Sequence, residues 1–110
     1  MTEQDRRRGQ NEALFRSLNE QIERLELDNG SPYVDFICEC SSTRCMEVIH
    51  ATREEYEQIR TTSTEFMVVV GHEAPDIEEI VGRHGRFNVV EKHGEAALVA
   101  EQTDPRGFTG

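Results

Sequence analysis

The 110-residue chain has no tryptophan, and only 12 of its residues are Lys or Arg, against 22 Asp or Glu. The formal net charge is −10. A shortage of basic residues argues against non-specific binding to nucleic acid or to anionic membranes, both of which need positive patches. Nowhere does an apolar run approach the ~20 residues that span a bilayer. Met1 to Asp5 holds no apolar stretch of signal-peptide type, so the chain reads as cytoplasmic. Apolar residues are also scarce. Leu, Ile, Val and Phe make up about 23% of the chain, just above the roughly 20% below which a highly charged chain stays disordered. One small domain with a thin core is expected, and domains of this size often need a staple.

Familiar catalytic patterns are missing too. There is no Gly-rich phosphate loop, no nucleophile elbow and no H-E-x-x-H. His72-Glu73 lacks the second His that a zinc protease requires. The carboxylates Glu54, Glu55, Glu57, Glu73, Glu78 and Glu79 read as solvated faces, not acid–base pairs. The sequence therefore predicts no catalytic residues and no organic cofactor.

Among the residues present, the first 27 form a clear pattern. Residues 1–9, with Arg6-Arg7-Arg8, read as a disordered polar tail ending at Gly9. Residues 10–27 read as a helix, because Leu14, Phe15, Leu18, Ile22 and Leu25 recur at three- and four-residue steps. Glu12, Arg16, Glu20, Glu23 and Arg24 fill the other side. Asp28-Asn29-Gly30 and Pro32 stop it. The apolar stripe must cover something: the domain's own sheet, an unidentified protein partner, or a second copy, since Leu14, Leu18, Ile22 and Leu25 approximate a short coiled-coil seam.

After Pro32, strand formers dominate. Tyr33–Ile37 and Met46–His50 read as two strands of a hairpin with Cys38 to Cys45 at its tip. Thr52-Arg53-Glu54-Glu55 fits a capping box, opening a helix to about Arg60 with Tyr56 and Ile59 inward. Glu65–Val70 reads as a strand covered on both faces. Asp76 is expected to cap a short helix over Ile77–Val81, and residues 86–92 to form a last strand. Residues 95–101 are ambiguous between helix and edge strand. From Gln102 onward the chain reads as a second disordered tail. The fold class is α+β: an N-terminal amphipathic helix followed by a small zinc-stapled antiparallel sheet with one or two short helices, spanning residues 10–101.

All three cysteines fall within eight residues, Cys38-Glu39-Cys40-Ser41-Ser42-Thr43-Arg44-Cys45. An odd number of cytoplasmic thiols argues against disulfides. A metal explains the clustering better, because zinc takes four tetrahedral ligands and prefers thiolate and imidazole. The fourth ligand is expected to be a histidine. His72 follows Gly71 where a buried strand ends in a tight turn. His50 ends the return strand, roughly 15 Å from the loop tip at ~3.3 Å per residue. His84 and His93 sit in Gly-flanked loops and read as surface residues. The expected metal site is Cys38, Cys40, Cys45 and His72 around one Zn²⁺, with Arg44 offsetting its negative charge; the alternative is three incidental cysteines. Such a shell is closed and leaves no position for water or substrate, so the metal reads as structural.

The order of motifs resembles a group of small, uncharacterised bacterial proteins. They share a helix N-E-A-L-F-R-x-x-N-E-x-I, then F-x-C-E-C-x4-C, T-x-x-E-Y-E-x-x-R, F-x-V-x-x-G-H-E-x-P and V-V-E-K. Here these are Asn11 to Ile22, Phe36 to Cys45, Thr52 to Arg60, Phe66 to Pro75 and Val89 to Lys92. Ser41 and Val70 depart from a Gly and a Pro frequent in the group. The resemblance implies that the three cysteines and His72 belong to one motif set, and it implies no activity. The functional expectation is a non-enzymatic zinc-binding interaction or regulatory module. A thiol-based redox or zinc sensor, and an accessory factor of a nucleic-acid-binding transcription complex, are the alternatives.

Overall fold

A computed structural model describes residues 3–25, 31–40, 42, 45 and 47–106, with the side chains of residues 3–6 excepted. The expected helix stop at Asp28-Asn29-Gly30 and the proposed charge partner Arg44 lie outside the described residues.

The first helix, α1, runs over Glu3–Leu25. It starts seven residues before the expected Gln10, so the stretch expected as a tail is largely helical. Gly9 lies inside it, not at a boundary. A Cβ there would sit 2.8 Å from Val99 Cγ1, so the missing side chain lets the last helix approach closely.

Strands β1 (Tyr33–Ile37) and β2 (Val48–Thr52) pair antiparallel, with Phe36 opposite Ile49 and Val34 opposite Ala51. These four side chains are buried, while Tyr33, Asp35, Val48 and His50 face out. Strict alternation is what a sheet with one covered face requires. Thr52 then caps α2 (Arg53–Arg60): its hydroxyl accepts from Glu55 N, and the Glu55 carboxylate accepts from Thr52 N. Tyr56 and Ile59 are buried, and Tyr56 stacks on Phe36.

A second sheet holds β3 (Glu65–Val68), β4 (Glu78–Arg83) and β5 (Asn88–Lys92) in the order β3-β5-β4, all antiparallel. Two sheets thus replace the single one expected, because α2 separates β2 from β3. The expected helix at Ile77–Val81 is instead β4. Its inward positions begin with Glu78, a buried carboxylate bonded to Lys92, which disguises the two-residue period. Asp76 caps no helix and binds Arg8. The ambiguous segment forms a helix, α3 (Gly94–Gln102). Beyond it, Asp104 binds Arg60, and Arg106 binds Glu20 and Glu57, so residues 102–106 are held against the domain, not a free tail.

The largest departure concerns the side of α1 that faces inward. Glu12, Arg16, Asn19 and Glu20 are buried, while Leu14, Leu18 and Leu25 are 55%, 38% and 84% exposed. Phe15 and Ile22 lie half-buried at the flank. The polar side wins because each residue meets a specific partner, as burial of polar groups demands. Glu12 binds Lys92. Arg16 donates to the Ser63 and Ala100 carbonyls and lies 4.4 Å above the Phe66 ring. Glu20 accepts from Tyr56 and Arg60.

Candidate metal centre

The two sheets meet where β1 runs out. Cys38 N still donates to the Glu47 carbonyl at 3.0 Å; past it the chain turns from β2 to β3, where Glu39 N donates to the Met67 carbonyl at 2.9 Å. Glu39 is fully buried. Its carboxylate accepts from Met67 N at 3.0 Å and from Asn19 Nδ2 at 2.8 Å. The middle residue of Cys-Glu-Cys is thereby tied to both β3 and α1, and burial raises its carboxyl pKa above the usual range. This anchoring holds the flanking cysteines in place.

Cys38 and Cys40 are buried and Cys45 is partly so. Cys38 Sγ also accepts a hydrogen bond from Val69 N at 3.2 Å. Amide-to-sulfur bonds of this kind favour a thiolate by placing positive partial charge on it.

His72 arrives from the turn after β3. Gly71 has φ of +94°, a conformation that side chains other than hydrogen rarely adopt. His72 N closes the turn on the Val69 carbonyl at 2.9 Å. The Glu73 carboxylate accepts from Gly71 N and Asn88 Nδ2, locking the turn to β5. The imidazole then points Nδ1 at the thiols, 3.6 Å from Cys38 Sγ and 3.5 Å from Cys45 Sγ. Its Nε2 lies 3.1 Å from the Glu47 carboxylate.

The ligand atoms of Cys38, Cys40, Cys45 and His72 all lie within 4.8 Å of one another, a group that could hold a metal ion. Tetrahedral zinc with Zn–S bonds of about 2.3 Å places sulfurs roughly 3.8 Å apart, so little closing movement is needed. The thiols already share protons unequally. The Cys40 thiol is held down to about 4, chiefly by the hydrogen bond from Cys38, and Cys38 is pushed up by that same bond and by burial. Burial raises Cys45 as well.

The other histidines stand apart. His50 binds Asp35 at 2.6 Å and stacks on Tyr33; His84 stacks on Phe87; His93 is exposed at the start of α3. Two residues of the site escaped the sequence reading. Glu47 supports the imidazole, and a carboxylate two residues past the last cysteine was a usable signal. Glu39 is a buried acid between two cysteines, and its sequence neighbours do not reveal its partners. No protein-family model, no curated protein and no solved structure matches the chain.

Proposed function

We propose that this chain is a non-enzymatic zinc protein: one Zn²⁺ on Cys38, Cys40, Cys45 and His72 fastens the two sheets, and the resulting module works by binding protein. The convergence of three sulfurs and an imidazole nitrogen supports this reading. Three thiolates and one imidazole match the donor set of structural zinc and fill its coordination. They come from both sides of the sheet junction, Cys38 to Cys45 from the β1–β2 connection and His72 from the turn after β3, so a bound ion ties these segments together. Glu47 supplies the outer carboxylate that commonly orients a zinc-bound histidine. Thiolates bound to zinc are not free to act as nucleophiles, which supports the non-enzymatic assignment. The exposed leucines of α1 support a protein-binding role.

Metal analysis and native mass spectrometry of purified protein test the proposal. One zinc per chain is expected, with Cys40→Ser failing to retain it and a strong chelator lowering the melting temperature. A chain that carries no metal and melts identically with and without chelator would overturn the assignment.

A further inference from the structure

We infer that the outer side of α1 is a self-association surface on which a second copy of this chain docks antiparallel. The inference rests on reading the chain as an interaction module and is independent of the metal. At 3.6 residues per turn, Leu14, Leu18 and Leu25 fall on one line, directly opposite the buried Arg16. An apolar ridge facing away from its own core is the mark of a surface covered by something else.

Three observations favour a second copy as the occupant. The first is charge. Two chains of net charge −10 repel, yet this ridge carries no carboxylate among its described side chains. Its other exposed residues are Arg7, Gln10, Gln21 and Arg24, while Glu12 and Glu20 are buried on the far side. It is a surface on which two such chains can approach. The second is placement. Both sheets lie behind α1, so two copies meet helix to helix with their domains outermost. The third is register. Residues 14, 18, 21 and 25 follow the alternating four- and three-residue steps of a coiled-coil seam. Antiparallel pairing about a two-fold axis between residues 18 and 21 sets Leu14 against Leu25 of the second copy and Leu18 against its Gln21. The half-buried edges carrying Phe15 and Ile22 then meet each other, and Arg24 falls beside Ser17 of the second copy. Isologous contacts of this kind are the commonest route to a dimer. A seam of about three turns lies at the small end of stable interfaces, so dissociation in the micromolar range is expected.

Sedimentation equilibrium and native mass spectrometry of the full chain test this. A dimer is expected, and Leu14→Gln with Leu18→Gln should weaken it at least tenfold with an unchanged far-UV spectrum. Leu25→Gln, at the most exposed position, should weaken it alone, and Gln21→Leu should tighten it severalfold. Ser17→Glu, which faces Arg24 of the second copy only in the antiparallel register, should tighten it at low salt. A wild-type monomer at high micromolar concentration, or a dimer indifferent to the leucine variants, overturns the inference; no gain from Ser17→Glu overturns the register. The same spectra count zinc per chain, so a zinc-bearing monomer defeats this inference alone, and a metal-free dimer defeats only the zinc assignment.

Discussion

Asn19 on α1 donates through Nδ2 to the Glu39 carboxylate at 2.8 Å, linking the helix to the residue between Cys38 and Cys40. The same amide acts on the backbone of Ile37, with Nδ2 donating to its carbonyl at 2.9 Å and Oδ1 accepting from its N–H at 2.8 Å. One side chain thus completes the hydrogen bonding at the end of β1 and braces the start of the cysteine loop. Asn19→Leu should cost about 2–4 kcal/mol, because it leaves Ile37 and Glu39 with buried unpaired groups. Urea titration of the zinc-loaded protein gives the loss. Chelator competition should show weaker zinc binding as well, since the loop that presents Cys38 and Cys40 loses its brace.

Glu47 makes a narrower prediction. Its carboxylate lies 3.1 Å from His72 Nε2, while Nδ1 is turned toward Cys38 and Cys45. With Nδ1 on zinc, Nε2 must carry the proton, and Glu47 accepts it. Glu47→Gln should lower zinc affinity by roughly 10–100-fold, the usual range for an outer-shell partner. Glu47 is exposed, so the stability of the chelated protein should barely change.

Oxidation separates a structural zinc site from a redox sensor. Cys38 and Cys40 are buried, and Cys45 alone of the three thiols is partly exposed. Peroxide releases zinc by oxidising a thiolate that it can reach to a sulfenic acid, itself being reduced to water, and burial shields two of the three sulfurs from that attack. The zinc-loaded protein should therefore keep its metal through an hour in millimolar peroxide, followed with a chromogenic zinc indicator. Rapid release would favour the sensor reading instead.

The local signals in the sequence were reliable wherever a residue's neighbours in the chain decide its conformation. The strand at Tyr33–Ile37, the capping box at Thr52 and Glu55, and the histidine of the Gly71 turn all agree with the structure. Residues whose state depends on distant charges were misread. Glu12, Arg16 and Glu20 look like a solvated helix side until Lys92, Ala100 and Arg60, each at least 40 residues away, become their partners. Glu78 hid β4 in the same way. Periodicity locates an apolar stripe, but it does not say whether that stripe or its polar opposite faces the core.

The C-terminal segment shows the same long-range pairing. Asp104 accepts from Arg60 and from Ser63 Oγ, and the Arg60 side chain is fully buried. Asp104→Asn removes one of the two carboxylates on that guanidinium and leaves Glu20 as the other. A broken buried pair typically costs about 3–5 kcal/mol; with Glu20 retained, the lower end is expected. Denaturant unfolding measures it. A loss below the error of the titration would mean that the Asp104–Arg60 pair contributes nothing to the stability of the domain.

Lys92 lies buried between Glu12 on α1 and Glu78 on β4 and bonds to both. One ammonium cannot neutralise two desolvated carboxylates. Burial, with a smaller contribution from Glu78, raises the Glu12 pKa from 4.5 to about 7 despite the attraction of Lys92. A carboxyl raised on folding binds its proton more tightly in the native state. Its contribution to stability is therefore fully present below about pH 4.5 and is lost as pH rises toward 7. Over that window Glu12 should lower stability by an amount on the order of a few kcal/mol at most. Glu12→Gln keeps a hydrogen-bond acceptor for Lys92 and removes the titration. Unfolding free energies at pH 5.5 and 8 should fall less for the variant than for the wild type, and the variant should be the more stable of the two at pH 8. Equal pH dependence in both proteins would show that Glu12 ionises normally in its buried position.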